Sequence, residues 1–367
     1  MPQFNSVDIK ILEYLGRCGP RNITRIARKL GMHRETVRKR VKRLKSKFFL
    51  NFYANPYHTF LGLKKAFIFA DAVLGYEETL FKCLEVNDFW IYLGRYYGRG
   101  EGCYGIYTVP VDHLSQFENF VEELKKLEIT RNVQHFWSTC LHTVNLTERW
   151  FDHNSKTWIF PWEEWVNEVQ NESTELPYTL KDPEGFPMKF SDAIDLYIIK
   201  ELEKDATISL NKIASMLNMT PESIHYHYKR HVLENNLIES FQIFLPRFEK
   251  EVSDFYVFIF TFDDGDKMAR FANSLVDKPF VYSLGKILEK NALVGHLYLP
   301  KNEFRGFISS LGQLVRRGLL KTYEYVIEDF SKRKSQTISY EFYRNGMWIY
   351  EHEKHIKKLR EIAGNAQ

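Results

Sequence analysis

The densest chemistry in this sequence is positive charge on one short segment. Between Arg34 and Lys47 stand eight Lys or Arg and a single acid, Glu35, a net charge of +7. Cations packed that closely along one helix seek phosphate, because each neutralised phosphate releases condensed counterions. A second cluster is imidazole: His225, His227 and His231. His227 and His231 are four apart and could share a metal ion, but the sequence offers no evident third ligand, so no metal site is assigned. A pH-dependent contact suits these side chains better, since histidine titrates near neutrality. Gly94, Gly98, Gly100 and Gly102 resemble a phosphate-cradling loop. The next element reads as a strand rather than a helix, so a hairpin turn or an effector rim is expected instead. The cysteines Cys18, Cys83, Cys103 and Cys140 are far apart and form no CxxC. That argues against structural zinc and for a reducing, cytoplasmic setting.

The basic segment needs a scaffold, and its neighbours supply one. Ile23 to Lys47 reads as two short helices around a turn at Gly31, where a backbone at positive φ costs glycine little. Ile26, Ala27 and Leu30 share one face of the first helix, and Met32, Val37 and Val41 close the apolar side of the second. A small residue, a glycine four later and a β-branched residue at Val37 are the spacing of a helix-turn-helix. Val37, Val41 and Leu44 then face inward. Arg34, Arg38, Lys39 and Lys42 point outward, with Arg40 and Arg43 on the flanks. His33, Arg34, Thr36 and Arg38 lie near the helix start, the end that reaches base edges. Arg25, Lys39, Lys42, Arg43 and Lys45 are placed to meet phosphates. With Arg40, these ten residues are the expected DNA-binding set, and double-stranded DNA is the expected partner.

Charge over the whole chain supports a local footprint. The 367 residues carry a formal net charge of only +4. Residues 1–50 hold 14 basic and 3 acidic side chains, whereas 51–185 hold 11 and 20. The positive charge therefore sits in one domain. No run of about 18 apolar residues occurs, so no membrane partner is expected and the protein reads as soluble and cytoplasmic. Trp150, Trp158, Trp162 and Trp165 read as a core or interface stripe.

The chain is one unit written twice. VDIKILEYL at 7–15 returns as IDLYIIKEL at 194–202, and Ile26, Ala27, Leu30, Met32 and Val37 map without a gap onto Ile213, Ala214, Leu217, Met219 and Ile224. Gly31 maps onto Asn218, which also tolerates a left-handed backbone. Thr220-Pro221 reads as an N-cap and first helical residue. Each copy continues with strand patterns and two amphipathic helices, near 77–86 and 112–127 in the first and 266–276 and 302–317 in the second. The order is β-α-β-β-α-β. A tail repeats as well, Trp158-Ile159-Phe160 returning as Trp348-Ile349-Tyr350, and predicts a short hairpin and a helix. The expected layout is a helix-turn-helix at 1–48, a ferredoxin-like domain with its tail at 49–170, a linker at 171–190, a second helix-turn-helix at 191–237 and a second ferredoxin-like domain at 238–367. The fold class is α+β, and the two ferredoxin-like domains are expected to pair within one chain.

With VDIKILEYL, IARKLGMHRETVRKRVKRL and FFLNFYANPYHTFLG in place, each half resembles the leucine-responsive (Lrp/AsnC) transcription regulators of archaea and bacteria. That resemblance implies a sequence-specific DNA-binding regulator that performs no chemistry and needs no cofactor. It implies a ferredoxin-like domain that dimerises and takes a small-molecule effector in some members, and a homodimer of pseudo-dimers as the assembly. The turns GRYYGRGEG at 94–102 and GKILEKN at 285–291 lack the Asp usual in the family's effector turn, which predicts no tight amino-acid binding there. Two rival readings use the same features. Sirohaem decarboxylases join a helix-turn-helix to this ferredoxin-like domain and act on a tetrapyrrole; a chromatin-associated protein would bind DNA without sequence preference. The basic first recognition helix favours the regulator.

Overall fold

In the computed structural model, residues 5–98, 100–139, 141–143, 147–246 and 248–365 are described. The first helix-turn-helix is α1 (Ser6–Cys18), α2 (Ile23–Lys29) and α3 (Arg34–Phe48). Asn5 and Asp8 form a reciprocal capping box at the start of α1, each side chain accepting from the other's backbone N–H. Gly31 takes φ 63°, as the turn requires. β1 (Asn51–Pro56) leads into the sheet domain.

The first ferredoxin-like unit is β2 (Leu63–Ala72), α4 (Glu77–Glu85), β3 (Trp90–Tyr97), β4 (Gly102–Pro110), α5 (Leu114–Lys125) and β5 (Thr130–Ser138). A two-residue β6 (His142–Thr143) follows, then the hairpin β7 (Phe151–Asp152) and β8 (Thr157–Trp158), and then α6 (Trp162–Asn171). The second copy repeats the pattern. Its helix-turn-helix is α7 (Ala193–Lys204), α8 (Leu210–Leu217) and α9 (Pro221–Tyr226). Asn218 sits at φ 52°, and Thr220 caps α9 with Pro221 as its first residue. After β9 (Ile238–Phe244) come β10 (Ser253–Thr261), α10 (Gly265–Leu275), β11 (Val281–Ile287), β12 (Ala292–Pro300), α11 (Lys301–Arg316) and β13 (Thr322–Ser335). The hairpin β14 (Tyr343–Arg344) and β15 (Met347–Trp348) and the helix α12 (His352–Gly364) end the fold.

The two ferredoxin-like units pair within the chain, as the sequence predicts, and they do so edge to edge. β13 pairs antiparallel with β3, and β5 meets β11 at Ile287–Ser138. With β11 also paired to β12, the strand order β12-β10-β13-β3-β4-β2-β5-β11 closes on itself, and β6 extends β11. Closure leaves few exposed edges, which would otherwise invite pairing with other chains. The inner face carries Phe67, Phe69, Tyr104, Ile106, Val257, Val294 and Val326, a core distinct from the one under the helices.

Three exchanges lock the copies further. β1 and β9 form an antiparallel two-stranded ribbon in the register Tyr53–Gln242. α7 of the second unit packs on β1, and α1 of the first packs on β9. The tails are also exchanged. α6, from the first copy, covers α10 and α11 of the second, while α12 covers α4 and α5 of the first. Trp165 is fully buried there, with Nε1 donating to Ser274 Oγ at 3.1 Å, and Trp162 Nε1 donates to Glu303 at 2.9 Å. Trp162 and Trp165 of the stripe are thus an interface between copies, whereas Trp158 packs on Phe151 of its own copy. The stretch at 171–190 is docked rather than loose: Leu180 is fully buried, and Lys286 Nζ donates to Asp182 at 2.6 Å.

Candidate functional site

The first recognition helix presents its charge in two populations. Val37 and Leu44 are buried and Val41 half-buried, so the predicted inward face holds. Arg34, Lys39 and Lys42 are exposed. Arg38 is exposed and pairs with Glu35 one turn away on the same helix. His33 is the N-cap of α3, its Nδ1 accepting from the Glu35 N–H at 3.3 Å, beside exposed Thr36. Arg25 is exposed on α2. These seven side chains form one solvent-facing surface around the start and outer face of α3.

The remaining three have partners inside the protein. Arg40 Nη1 donates to Asp8 Oδ1 at 2.9 Å, and Arg43 binds Asp8 Oδ2. Asp8 is completely buried, and a buried carboxylate left without a cation would be costly. Arg40 and Arg43, read from the sequence as flanking DNA contacts, therefore hold α3 against α1. Lys45 Nζ donates to Thr207 Oγ1 at 3.0 Å and lies 5.3 Å from the centre of the Phe52 ring, tying α3 to the second copy. Sequence reasoning misses the role of Asp8, although its signal is visible: it is an acid inside the apolar repeat VDIKILEYL, at the position of Asp195 in IDLYIIKEL.

The second unit keeps that buried acid and changes its partners. Asp195 is fully buried. His227 Nδ1 lies 2.8 Å and His231 Nδ1 3.1 Å from the same oxygen, Asp195 Oδ1. His227 is the counterpart of Arg40. The counterpart of Arg43 is Arg230, which turns away and pairs with Glu234 at 3.0 Å. The cause is local. From His227 to Leu233 the helix adopts π geometry, in contrast to the regular α3. The wider π turn shifts the inward position from residue 230 to residue 231. Around this helix Lys229 and Arg230 face Glu222 and Glu234, a charge balance of zero.

Inside the closed sheet lies a set of polar groups the strand patterns did not reveal. Glu328 accepts from Tyr104 Oη at 2.6 Å and from Tyr92 Oη, and burial raises its carboxyl above the usual range. His296 Nδ1 faces Ser283 Oγ at 2.9 Å, and its Nε2 is buried without a partner. Burial, with the Lys65 charge nearby, pushes this imidazole down to about 4. A gap lined by Phe69, Val257, Ile259 and Val326 has a volume of about 10 Å³, the size of a single water. The turn at 94–102 is a β3–β4 hairpin rather than a phosphate loop. A Cβ on Gly94 would meet the Tyr104 ring at 2.6 Å, and one on Gly102 would meet the Ala70 carbonyl at 2.3 Å, so both glycines serve packing.

Among the described residues, no helix is long and apolar enough to cross a membrane. No curated protein matches the sequence significantly. In fold, the chain is similar over its full length to crystal structures of the siroheme decarboxylase NirDL. One, with TM-score 0.50 and 10% identity, covers 98% of this chain and 99% of that one. A second, in co-complex with an iron-uroporphyrin III analogue, gives TM-score 0.51 over the same shares at 10% identity. A transcriptional regulator from Neisseria meningitidis, in complex with L-Met, is 18% identical and matches 40% of this chain and 97% of its own, with TM-score 0.33. The AsnC-type helix-turn-helix domain matches residues 5–45 and again residues 192–230. The chain thus carries two AsnC-type helix-turn-helix domains within one tandem, Lrp-like α+β architecture.

Proposed function

We propose that this protein is a sequence-specific, DNA-binding transcription regulator that performs no chemistry and engages duplex DNA mainly through its first helix-turn-helix. The observation that carries this reading is the outer face of α3. Arg34, Lys39 and Lys42 are exposed on a helix of AsnC type, next to Arg25, His33, Thr36 and Arg38. The inward cations, Arg40 and Arg43, are occupied by Asp8, so the free charge is concentrated where a major groove would lie. Fluorescence anisotropy with labelled promoter duplexes tests the reading. Tight, salt-sensitive binding that random duplex competes for poorly supports a regulator. Equal competition by random duplex supports a chromatin-associated binder instead.

The full-length likeness to siroheme decarboxylase supports a second reading, an enzyme acting on a tetrapyrrole. The half-buried His296 and the buried Lys65 and Glu328 give that reading polar side chains inside the closed sheet. Titration of the protein with iron-uroporphyrin III, followed by absorbance, separates the two. A saturable spectral shift at micromolar concentration, without DNA binding, would favour the enzyme.

A further inference from the structure

We infer that Asp195, His227 and His231 form a binding site for one divalent transition-metal ion, of the zinc class, that fastens the second recognition helix to α7. The three donor atoms, Asp195 Oδ1 and the two Nδ1 atoms, lie within 4.8 Å of one another. The two imidazoles approach the single oxygen at 2.8 and 3.1 Å. Four-coordinate zinc holds nitrogen and oxygen at about 2.0–2.2 Å, which sets neighbouring donors roughly 3.4 Å apart. A small outward movement of the rings therefore admits the ion. The carboxylate is already oriented for it: Asp195 Oδ2 accepts from the Ser191 N–H at 2.7 Å, which leaves Oδ1 to face the histidines. Such outer hydrogen bonds commonly fix a ligand's direction. Solvent completes the fourth position, with the Asp192 carboxylate 3.9 Å from His227 Nδ1.

The first copy serves as an internal control. There the equivalent buried acid, Asp8, is neutralised by two permanent cations, Arg40 and Arg43. In the second copy both inward positions are imidazoles, and the one arginine nearby is turned out to Glu234. A completely buried carboxylate then lacks a fixed counter-charge, and a divalent ion held by neutral imidazoles supplies it. Two histidines four residues apart, within a π segment, give the convergent pair that an ordinary α-helix turned toward residue 230 would not. The ion would do for the second helix-turn-helix what the arginine pair does for the first.

The test uses the full-length chain stripped with a chelator and dialysed against Zn²⁺ at neutral pH, with bound metal measured by elemental analysis and affinity by calorimetry. The expected result is one zinc per chain at micromolar or tighter affinity. His227→Gln and His231→Gln should each weaken binding at least tenfold, and Arg230→Gln should leave it unchanged. Because a histidine variant could disturb folding, the wild-type chain gives a second readout. Zinc should protect His227 and His231, and not His225, from modification by diethyl pyrocarbonate. Absence of stoichiometric zinc, equal affinity in the histidine variants, or modification unaffected by zinc would each overturn the assignment.

Discussion

Trp165 stacks on Phe307 across the two copies, ring centroids 5.5 Å apart and planes inclined by 21°. Trp165 comes from the tail of the first copy and Phe307 from α11 of the second. Phe271 and Phe280, also from the second copy, complete the pocket. The tail is therefore a strut between copies. Trp165→Ala should cost about 3–5 kcal/mol, the usual range for a fully buried large aromatic. Chemical denaturation should show the loss as a lower midpoint. It should remain one cooperative transition, because each copy completes the other's core.

The reciprocal strut is α12, and it is anchored differently. His355 Nε2 lies 2.9 Å from Asp88 Oδ2, and Asn87 Nδ2 donates to Tyr350 Oη at 2.6 Å. Burial would raise the Asp88 carboxyl, but the His355 hydrogen bond and the Lys354 and Lys358 charges hold it below its ordinary value. Deleting residues 351–367 should expose the apolar faces of α4 and α5 in the first copy. Hydrogen exchange should speed up there, far upstream of the deletion in the chain, rather than in α10 and α11.

Arg40 and Lys42 are two residues apart and should behave oppositely. Arg40→Ala removes a charged hydrogen bond from buried Asp8, at about 2–3 kcal/mol of stability. Lys42→Ala should leave thermal stability nearly unchanged. Every phosphate that a cation neutralises adds about 0.9 to the steepness of log affinity against log salt. Lys42→Ala should therefore flatten that slope and Arg40→Ala should not. Melting curves and salt titrations on the same two variants check both halves of the statement.

Burial pushes Glu203 up to about 8, against an opposing hydrogen bond from the Ile338 N–H. A carboxyl raised in the folded state binds its proton more tightly there than in the unfolded chain. Its contribution is complete below the ordinary glutamate range and is lost as pH rises toward about 8. Glu203→Gln keeps the shape and removes the titration. The variant should lose less thermal stability than the parent between about pH 5 and pH 8.

Much of this architecture is legible in the sequence because it is local and repeated. VDIKILEYL returning as IDLYIIKEL marks two units, and the apolar periods place the long helices and most strands to within a few residues, although β13 runs on to Ser335, well beyond its apolar pattern, to pair with β3. Four features are not legible there, each for a physical reason. The exchange of α6 and α12 depends on which of two similar helical layers each tail meets, and Trp162 and Trp165 match aromatic partners of either kind. The stretch at 171–190 lacks periodicity and reads as a free linker, yet Leu180 and Asp182 dock it. At the candidate interface, a charge count treats all eight cations alike. It cannot distinguish Lys42, facing solvent, from Arg40, whose partner Asp8 lies 32 residues upstream. Likewise the π turn that carries His231 inward is a one-residue change of pitch, and no composition or spacing rule announces it.

The central claim is that the first helix-turn-helix supplies most of the DNA affinity, and paired charge removal tests it most directly. The two scaffolds match except for the π segment of the second recognition helix, so the comparison is nearly controlled by the protein itself. Arg38→Ala with Lys42→Ala strips the outer face of α3; Lys229→Ala with Arg230→Ala strips its counterpart. Affinity for a cognate duplex should be measured across a salt series for both variants. The account predicts a large loss for the first pair, with a salt slope reduced by about 1–2, and little change for the second. Equal losses, or a larger loss from the Lys229 and Arg230 pair, would contradict it.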